Sequence, residues 1–264
     1  MSQALLAEAV RRLSAASVDS PRRDARILWN HAQGDRAAFE ACVERRAARE
    51  PIAYIVGHKE FWSLEFAVGP GILVPRPETE TLIEQVLKFH PDRAAPLRAL
   101  DLGCGSGCLI VSFLKEFPNA HGMAIDRLDV ACDFTRRNAE RHGVLGRCEI
   151  RQGDWSGKTL PEADVILANP PYIRTDDLNR LEPEVAAYEP RGALDGGADG
   201  LQAYRMLAPA VAISVGRSGL GFVEVGIGQA EPVGALLAVY GLKIIGIAPD
   251  LAGTPRVLVI GASG

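Results

Sequence analysis

From residue 98 to the C-terminus, short β-branched apolar runs alternate with longer segments whose apolar residues recur at helical spacing. No other feature constrains the fold as strongly. The pattern predicts strands over 98–102, 121–125, 148–152, 164–168 and 221–225. Helices are expected over 109–117, 130–142, 201–214 and 229–240. Strands separated by helices pair in parallel, with the helices covering both sheet faces. The final runs, 242–248 and 256–260, are joined by a loop too short for a parallel crossover. They should pair antiparallel.

The first 50 residues read differently. Leu5, Leu6, Ala9, Val10 and Leu13 fall on one helix face. Asp19-Ser20-Pro21 announces a second helix carrying Ile27, Leu28 and His31, and Phe39 and Val43 mark a third that must end before Pro51. Residues 51–75 include Ile52, Tyr54, Ile55, Phe61, Trp62, Leu64, Phe66 and Val68, broken by glycines, which reads as a linking β-hairpin. The expected organisation is a helical bundle over 1–50, the hairpin over 51–75 and an α/β domain over 76–264. Residues 1–60 carry ten basic against eight acidic residues, and the remainder nineteen against twenty-five, for a net charge of -4. An acidic body gives no overall basic field for nucleic acid. The five cysteines (Cys42, Cys104, Cys108, Cys132 and Cys148) form no C-x-x-C pair, and no metal site is expected. They read as reduced, buried thiols. With neither a signal sequence nor a long apolar run, the expected location is the cytoplasm and no membrane partner is expected.

Asp101-Leu102-Gly103-Cys104-Gly105-Ser106-Gly107 follows the first strand of the α/β region and opens a helix. Its G-x-G-x-G spacing is tighter than a dinucleotide fingerprint, and no Lys-Ser/Thr follows to make a phosphate loop. Asp126 ends the next strand, where an acid can accept both ribose hydroxyl protons. Asp154-Trp155 ends the third, where an acid can accept from an exocyclic amine and an indole can pack on a base. The three strand ends converge on one adenosine-like ligand.

Asn169-Pro170-Pro171-Tyr172 ends the fourth strand. Two prolines fix two φ angles and remove two N–H donors, leaving the Pro170 carbonyl without a ladder partner. The Asn169 carboxamide oxygen is a second acceptor beside it. Two fixed acceptors suit a planar –NH₂ group, and Tyr172 can cover its other side.

This tetrapeptide resembles the signature of amino-methyltransferases that use S-adenosylmethionine. Together with Leu73-Val74-Pro75-Arg76-Pro77-Glu78-Thr79-Glu80, Glu189-Pro190, Asp199-Gly200-Leu201 and Tyr204-Arg205, it resembles the HemK/PrmC family of release-factor glutamine methyltransferases. Arg127 and Thr254-Pro255 depart from the family pattern without touching the signature. The resemblance implies a seven-stranded, Rossmann-like class I methyltransferase domain. It implies S-adenosyl-L-methionine as cofactor, S-adenosyl-L-homocysteine as product, and class I release factors as partners in translation termination. The acceptor would be the glutamine of their Gly-Gly-Gln loop. Carried over by position, Gly103, Cys104, Gly105, Ser106, Gly107, Asp126, Asp154, Trp155 and Asn169 would bind the cofactor. Asn169, Pro170, Pro171 and Tyr172 would bind the glutamine, with Asn169, Pro170 and Tyr172 at the chemistry. The alternative, a DNA adenine or cytosine amine methyltransferase, needs a target-reading domain and a basic groove. The sequence carries neither. Duplex DNA offered with labelled cofactor at physiological salt should therefore acquire no label; sequence-dependent transfer to adenine or cytosine would reverse the ranking.

Overall fold

The computed structural model describes residues 2–155 and 160–263. Four helices come first: α1 (Gln3–Ala15), α2 (Pro21–His31), α3 (Arg36–Ala47) and the short α4 (Ile52–Val56). Their starts are written locally. The Ser2 hydroxyl caps α1, Pro21 opens α2, and the Asp35 carboxylate accepts from the amides of Ala37 and Ala38. Leu13, Leu28, Phe39, Val43 and Ile55 form the bundle core. The segment expected as strand at Ile52, Tyr54 and Ile55 is thus helix. Pro51 precedes it, Gly57 ends it in the left-handed conformation, and burial of Ile55 among the other helices outweighs β propensity.

A two-stranded hairpin follows, β1 (His58–Phe61) and β2 (Leu64–Ala67). Its turn residues, Trp62 and Ser63, both have positive φ without being glycine. Paired positive φ values match the strand twist, and side-chain acceptors offset the steric cost. The Glu80 carboxylate takes the Trp62 amide at 2.9 Å, and Glu60 takes that of Ser63 at 2.7 Å.

The remainder is the expected doubly wound sheet, with α5 (Glu80–Phe89), β3 (Arg98–Leu102), α6 (Cys108–Glu116), β4 (His121–Asp126), α7 (Asp129–Arg141), β5 (Cys148–Gln152), β6 (Val165–Ala168), α8 (Pro183–Tyr188), α9 (Gln202–Ser214), β7 (Leu220–Glu224), α10 (Ala230–Val239), β8 (Leu242–Pro249) and β9 (Pro255–Ala262). Seven strands run in the order β5-β4-β3-β6-β7-β9-β8. The pairs are parallel except β7–β9 and β8–β9, so the closing pair is antiparallel as its short loop requires. Alternate residues divide between two cores. Val165 and Leu167 face the layer containing Ile110 and Phe113 of α6, while Ile166 and Ala168 face Leu207 and Val211 of α9. The five cysteines are all buried and unbridged.

Between β6 and α9 the chain makes a 3₁₀ turn (Thr175–Arg180), then α8, then a second 3₁₀ turn (Arg191–Ala193). This connection ties the bundle to the sheet. Arg46 lies buried between Asp24 of α2 (2.9 Å) and Glu184 of α8 (3.0 Å). Arg49 adds bonds to Glu184 and Glu182, and the Tyr188 hydroxyl donates to the Ala48 carbonyl at 2.8 Å. Removing one of the two carboxylates that flank buried Arg46 leaves its charge compensated by Glu184 alone. Asp24→Ala should therefore lower unfolding free energy by about 3 kcal/mol. Denaturant unfolding measures this, and an unchanged midpoint would show that Arg46 does not depend on Asp24.

Candidate active site

Strand order reverses beside β3. The chain winds outward through β4 and β5, then returns to place β6 against the other side of β3. Leu102 of β3 is in register with Ala168 of β6. The loops leaving these two strands diverge at their carboxyl ends, where open α/β sheets form their binding crevice. A cavity of about 510 Å³ lies there, lined by both loops. That volume lies in the range of small-molecule sites.

The glycine loop is pinned to the end of β4. The amides of Gly103 and Cys104 both donate to the Ile125 carbonyl, at 2.8 and 3.1 Å. The Gly105 amide donates to Asp126 Oδ2 at 3.1 Å, and Asp126 Oδ1 accepts from the Leu128 amide at 2.9 Å. Asp126 thus turns the chain into α7 and also lines the cavity. Each of its oxygens keeps a lone pair for a further donor. Gly105 has φ +54°, and a side chain there would enter open space, on a loop that lines the cavity. At Gly103 a Cβ would come within 2.8 Å of the Trp155 ring, so that glycine allows the indole to close on the loop. The Trp155 indole N–H is buried without a partner among the described residues. Cys104 turns its buried thiol to the Thr135 hydroxyl (3.2 Å), and burial pushes that thiol well above its usual range. The carbonyl of buried Ser106 is held by Asn138. The Cys104 thiol and the Ser106 carbonyl are thus both engaged within the protein. Asp154 and Trp155 complete this side of the cavity.

Asn169 and Pro171 line the opposite side. Pro170, like Gly107, is not among the residues that line the cavity; Pro170 is buried, and among the described residues no hydrogen bond ends on its carbonyl. The Asn169 amide nitrogen donates to the Thr79 hydroxyl at 3.1 Å. Tyr172 departs from expectation, since it does not line the cavity. Its hydroxyl donates to Glu224 at 3.3 Å, and its carbonyl accepts from Gln229 at 3.0 Å. Gln229 also accepts from the Gly226 amide (3.0 Å), so it braces the signature loop against the end of β7.

Sequence reasoning missed the supports. Asn138, fully buried on α7, bonds Ala67 of the hairpin through both amide and carbonyl as well as Ser106 of the glycine loop. Glu189 accepts from the Val74 amide (3.2 Å) and from Arg76 (2.6 Å), fixing the segment before α5 along the cavity. Burial pushes the Glu189 carboxyl above its usual range despite Arg76. Glu224 ends β7 and is buried. An acid closing a strand is the signal that identified Asp126, and it was available at Glu224 too. Arg127, the departure beside Asp126, reaches across the cavity mouth to the Gly192 carbonyl at 3.2 Å.

Comparison with known proteins places this arrangement. Residues 79–182 match the methyltransferase small domain, and residues 33–57 match the PrmC N-terminal domain. The release factor glutamine methyltransferase of Rhodospirillum rubrum is 42% identical over 265 residues, covering 94% of this chain and 81% of that one. That of Cereibacter sphaeroides is 40% identical over 271 residues, covering 96% and 95%. The solved protein-(glutamine-N5) methyltransferase (release factor-specific) of Alicyclobacillus acidocaldarius is 30% identical, with a TM-score of 0.43 over 74% of this chain and 98% of that one. On identity sustained over nearly its whole length, the chain belongs to the release factor glutamine methyltransferase family.

Proposed function

We propose that the protein transfers a methyl group from S-adenosyl-L-methionine to the side-chain nitrogen of the glutamine in the Gly-Gly-Gln loop of class I release factors. The observation that carries this reading is the Asn169 carboxamide after β6, which lines one cavity with the glycine loop, beside a Pro170 carbonyl on which no hydrogen bond ends among the described residues. The cofactor fits the residues present. Asp126 has lone pairs for ribose hydroxyls, the buried Trp155 indole N–H has no partner among the described residues, and Gly105 leaves the loop open on one side. Gly103, Cys104, Ser106 and Gly107 would supply backbone, and Asp154, which lines the cavity, would take the exocyclic amine. When bound, the cofactor supplies a sulfonium-activated methyl group.

A carboxamide nitrogen is a poor nucleophile because its lone pair is delocalised, to the extent of the ~18–20 kcal/mol amide rotation barrier. What the chain contributes is alignment and charge placement. Asn169 Oδ1 takes one N–H of the target and the Pro170 carbonyl takes the other, which orients the nitrogen's π-face. As the nitrogen gains positive charge, both hydrogen bonds strengthen, and this differential binding lowers the barrier. Pro171 walls the site, and Tyr172 acts through the loop it anchors. The bundle, now extended through α4, is assigned to recognition of the release factor rather than to chemistry. Its link to the signature runs through α8, which follows the signature loop in the chain and bonds Arg46 and Arg49.

Gly105→Val should abolish cofactor binding in calorimetry, and Asp126→Ala should weaken it through lost charge-assisted bonds. Unchanged affinity in a folded variant removes that residue from the site. Asn169→Ala leaves an amide hydrogen of the substrate unpaired. Single-turnover transfer to a release factor should slow by about 10²–10³-fold, by analogy with a lost oxyanion donor. Asn169→Asp keeps an acceptor and should retain partial activity. An alanine variant at the wild-type rate would reduce Asn169 to a turn residue.

A further inference from the structure

The Arg76–Glu80 motif contributes one residue, Thr79, to the Asn169 side chain, and nothing in the reaction so far requires a hydroxyl there. Thr79 and Glu224 are both buried, at 2% and 1% exposure. They join segments 145 residues apart through a bond of 2.7 Å from the Thr79 hydroxyl to Glu224 Oε2. The Tyr172 hydroxyl donates to the other carboxylate oxygen, and the Tyr204 hydroxyl donates to the Glu224 backbone carbonyl at 3.0 Å.

We propose that Thr79 and Glu224 are positioning residues that decide which end of the Asn169 carboxamide faces the substrate. The inference rests on the reading of Asn169 as acceptor for the target amide. A carboxamide has two ends of nearly equal shape, one a donor and one an acceptor, and only the oxygen end can take a substrate N–H. A threonine hydroxyl has a single proton to give. An ionised Glu224 can only accept, so that proton goes to Glu224 and Thr79 is left to accept from Asn169. The Asn169 –NH₂ is thereby drawn to Thr79 at 3.1 Å, and Oδ1 is left for the substrate. Protonation of Glu224 removes this polarity. A carboxylic acid can donate to Thr79, whose proton then turns toward Asn169 and draws Oδ1 away from the substrate.

Burial pushes the Glu224 carboxyl up to about 7, against the hydrogen bond from Thr79 and the charge of Arg256. The other groups facing it are Tyr172, Tyr204, Cys108 and Glu78. Burial raises both phenols and the Cys108 thiol, so all three stay neutral near pH 7. The correctly polarised chain is present above the Glu224 value and is lost as pH falls through it.

The test is single-turnover methyl transfer to a release factor from pH 6 to 9, with cofactor affinity measured for every variant. The wild-type rate should rise through about pH 7. Thr79→Val, nearly isosteric but without the hydroxyl, should be slower by on the order of tenfold at pH 8. It should lose the rise while binding cofactor normally. Thr79→Ser should restore both the rate and the rise. Glu224→Gln, which can donate as well as accept, should also flatten the profile. Asp101, which burial likewise pushes up to about 7, is untouched in these variants. A rise that persists in Thr79→Val belongs to another group and overturns the proposal. So does a Thr79→Val rate equal to wild type, or a flat wild-type profile. Asn169→Ala run alongside separates the two levels. If it is slow while Thr79→Val is fast, only the positioning role fails; if it too is fast, the acceptor reading itself fails.

Discussion

The parallel pairing of β3 with β6 is the constraint on which the remaining structure depends. Those strands are neighbours in the sheet but are separated in the chain by two βα units. Their adjacency puts Gly103 and Asn169 one residue beyond a registered pair, Leu102 and Ala168. A glycine loop and a proline-fixed loop then leave the same sheet edge in different directions, and the cavity is the gap between them. Val165 to Ala168 are all buried, so the sheet cannot slip by one residue without exchanging its two cores. The fold sets the distance between the glycine loop and the Asn-Pro-Pro-Tyr loop through the packing of the strands beneath them.

Around that edge, several buried polar groups immobilise loops. Asn138 holds the hairpin and the glycine loop to α7, Glu189 holds the segment before α5, and Glu224 with Gln229 holds the signature. Each would be costly if unpaired, and each is paired with groups far away in sequence. The result is a frame of paired groups around the glycine loop and the Asn169 side chain. The bundle is attached to this frame through the Arg46 and Arg49 ion pairs to the α8 segment. A protein substrate gripped by the bundle would therefore be registered against the signature loop.

The parts of this arrangement governed by local chemistry were legible in the sequence. Strand and helix alternation, the glycine loop, Asp126 and the Asn-Pro-Pro-Tyr turn all declare themselves within a few residues. The parts governed by distant pairing did not. Thr79 and Glu224 meet across 145 residues, and Asn138 and Ala67 across 71. A single sequence gives no sign that a threonine at one place completes an acid at another. Residues 52–56 failed for a different reason. Five apolar residues are too few to separate the helical period from the strand period, and the deciding contact, Ile55 in the bundle core, is tertiary. The hairpin turn hid because Trp62 and Ser63 adopt backbone angles usually given to glycine or asparagine, with Glu60 and Glu80 supplying what their own side chains do not.

The most direct measurement is fragmentation mass spectrometry of a release factor incubated with the purified protein and S-adenosyl-L-methionine. One added methyl group is expected, located on the side-chain nitrogen of the Gly-Gly-Gln glutamine, with no modification when that glutamine is replaced by alanine. Methylation at another residue, or an unmodified release factor in the presence of a protein that binds the cofactor, would contradict the proposed function.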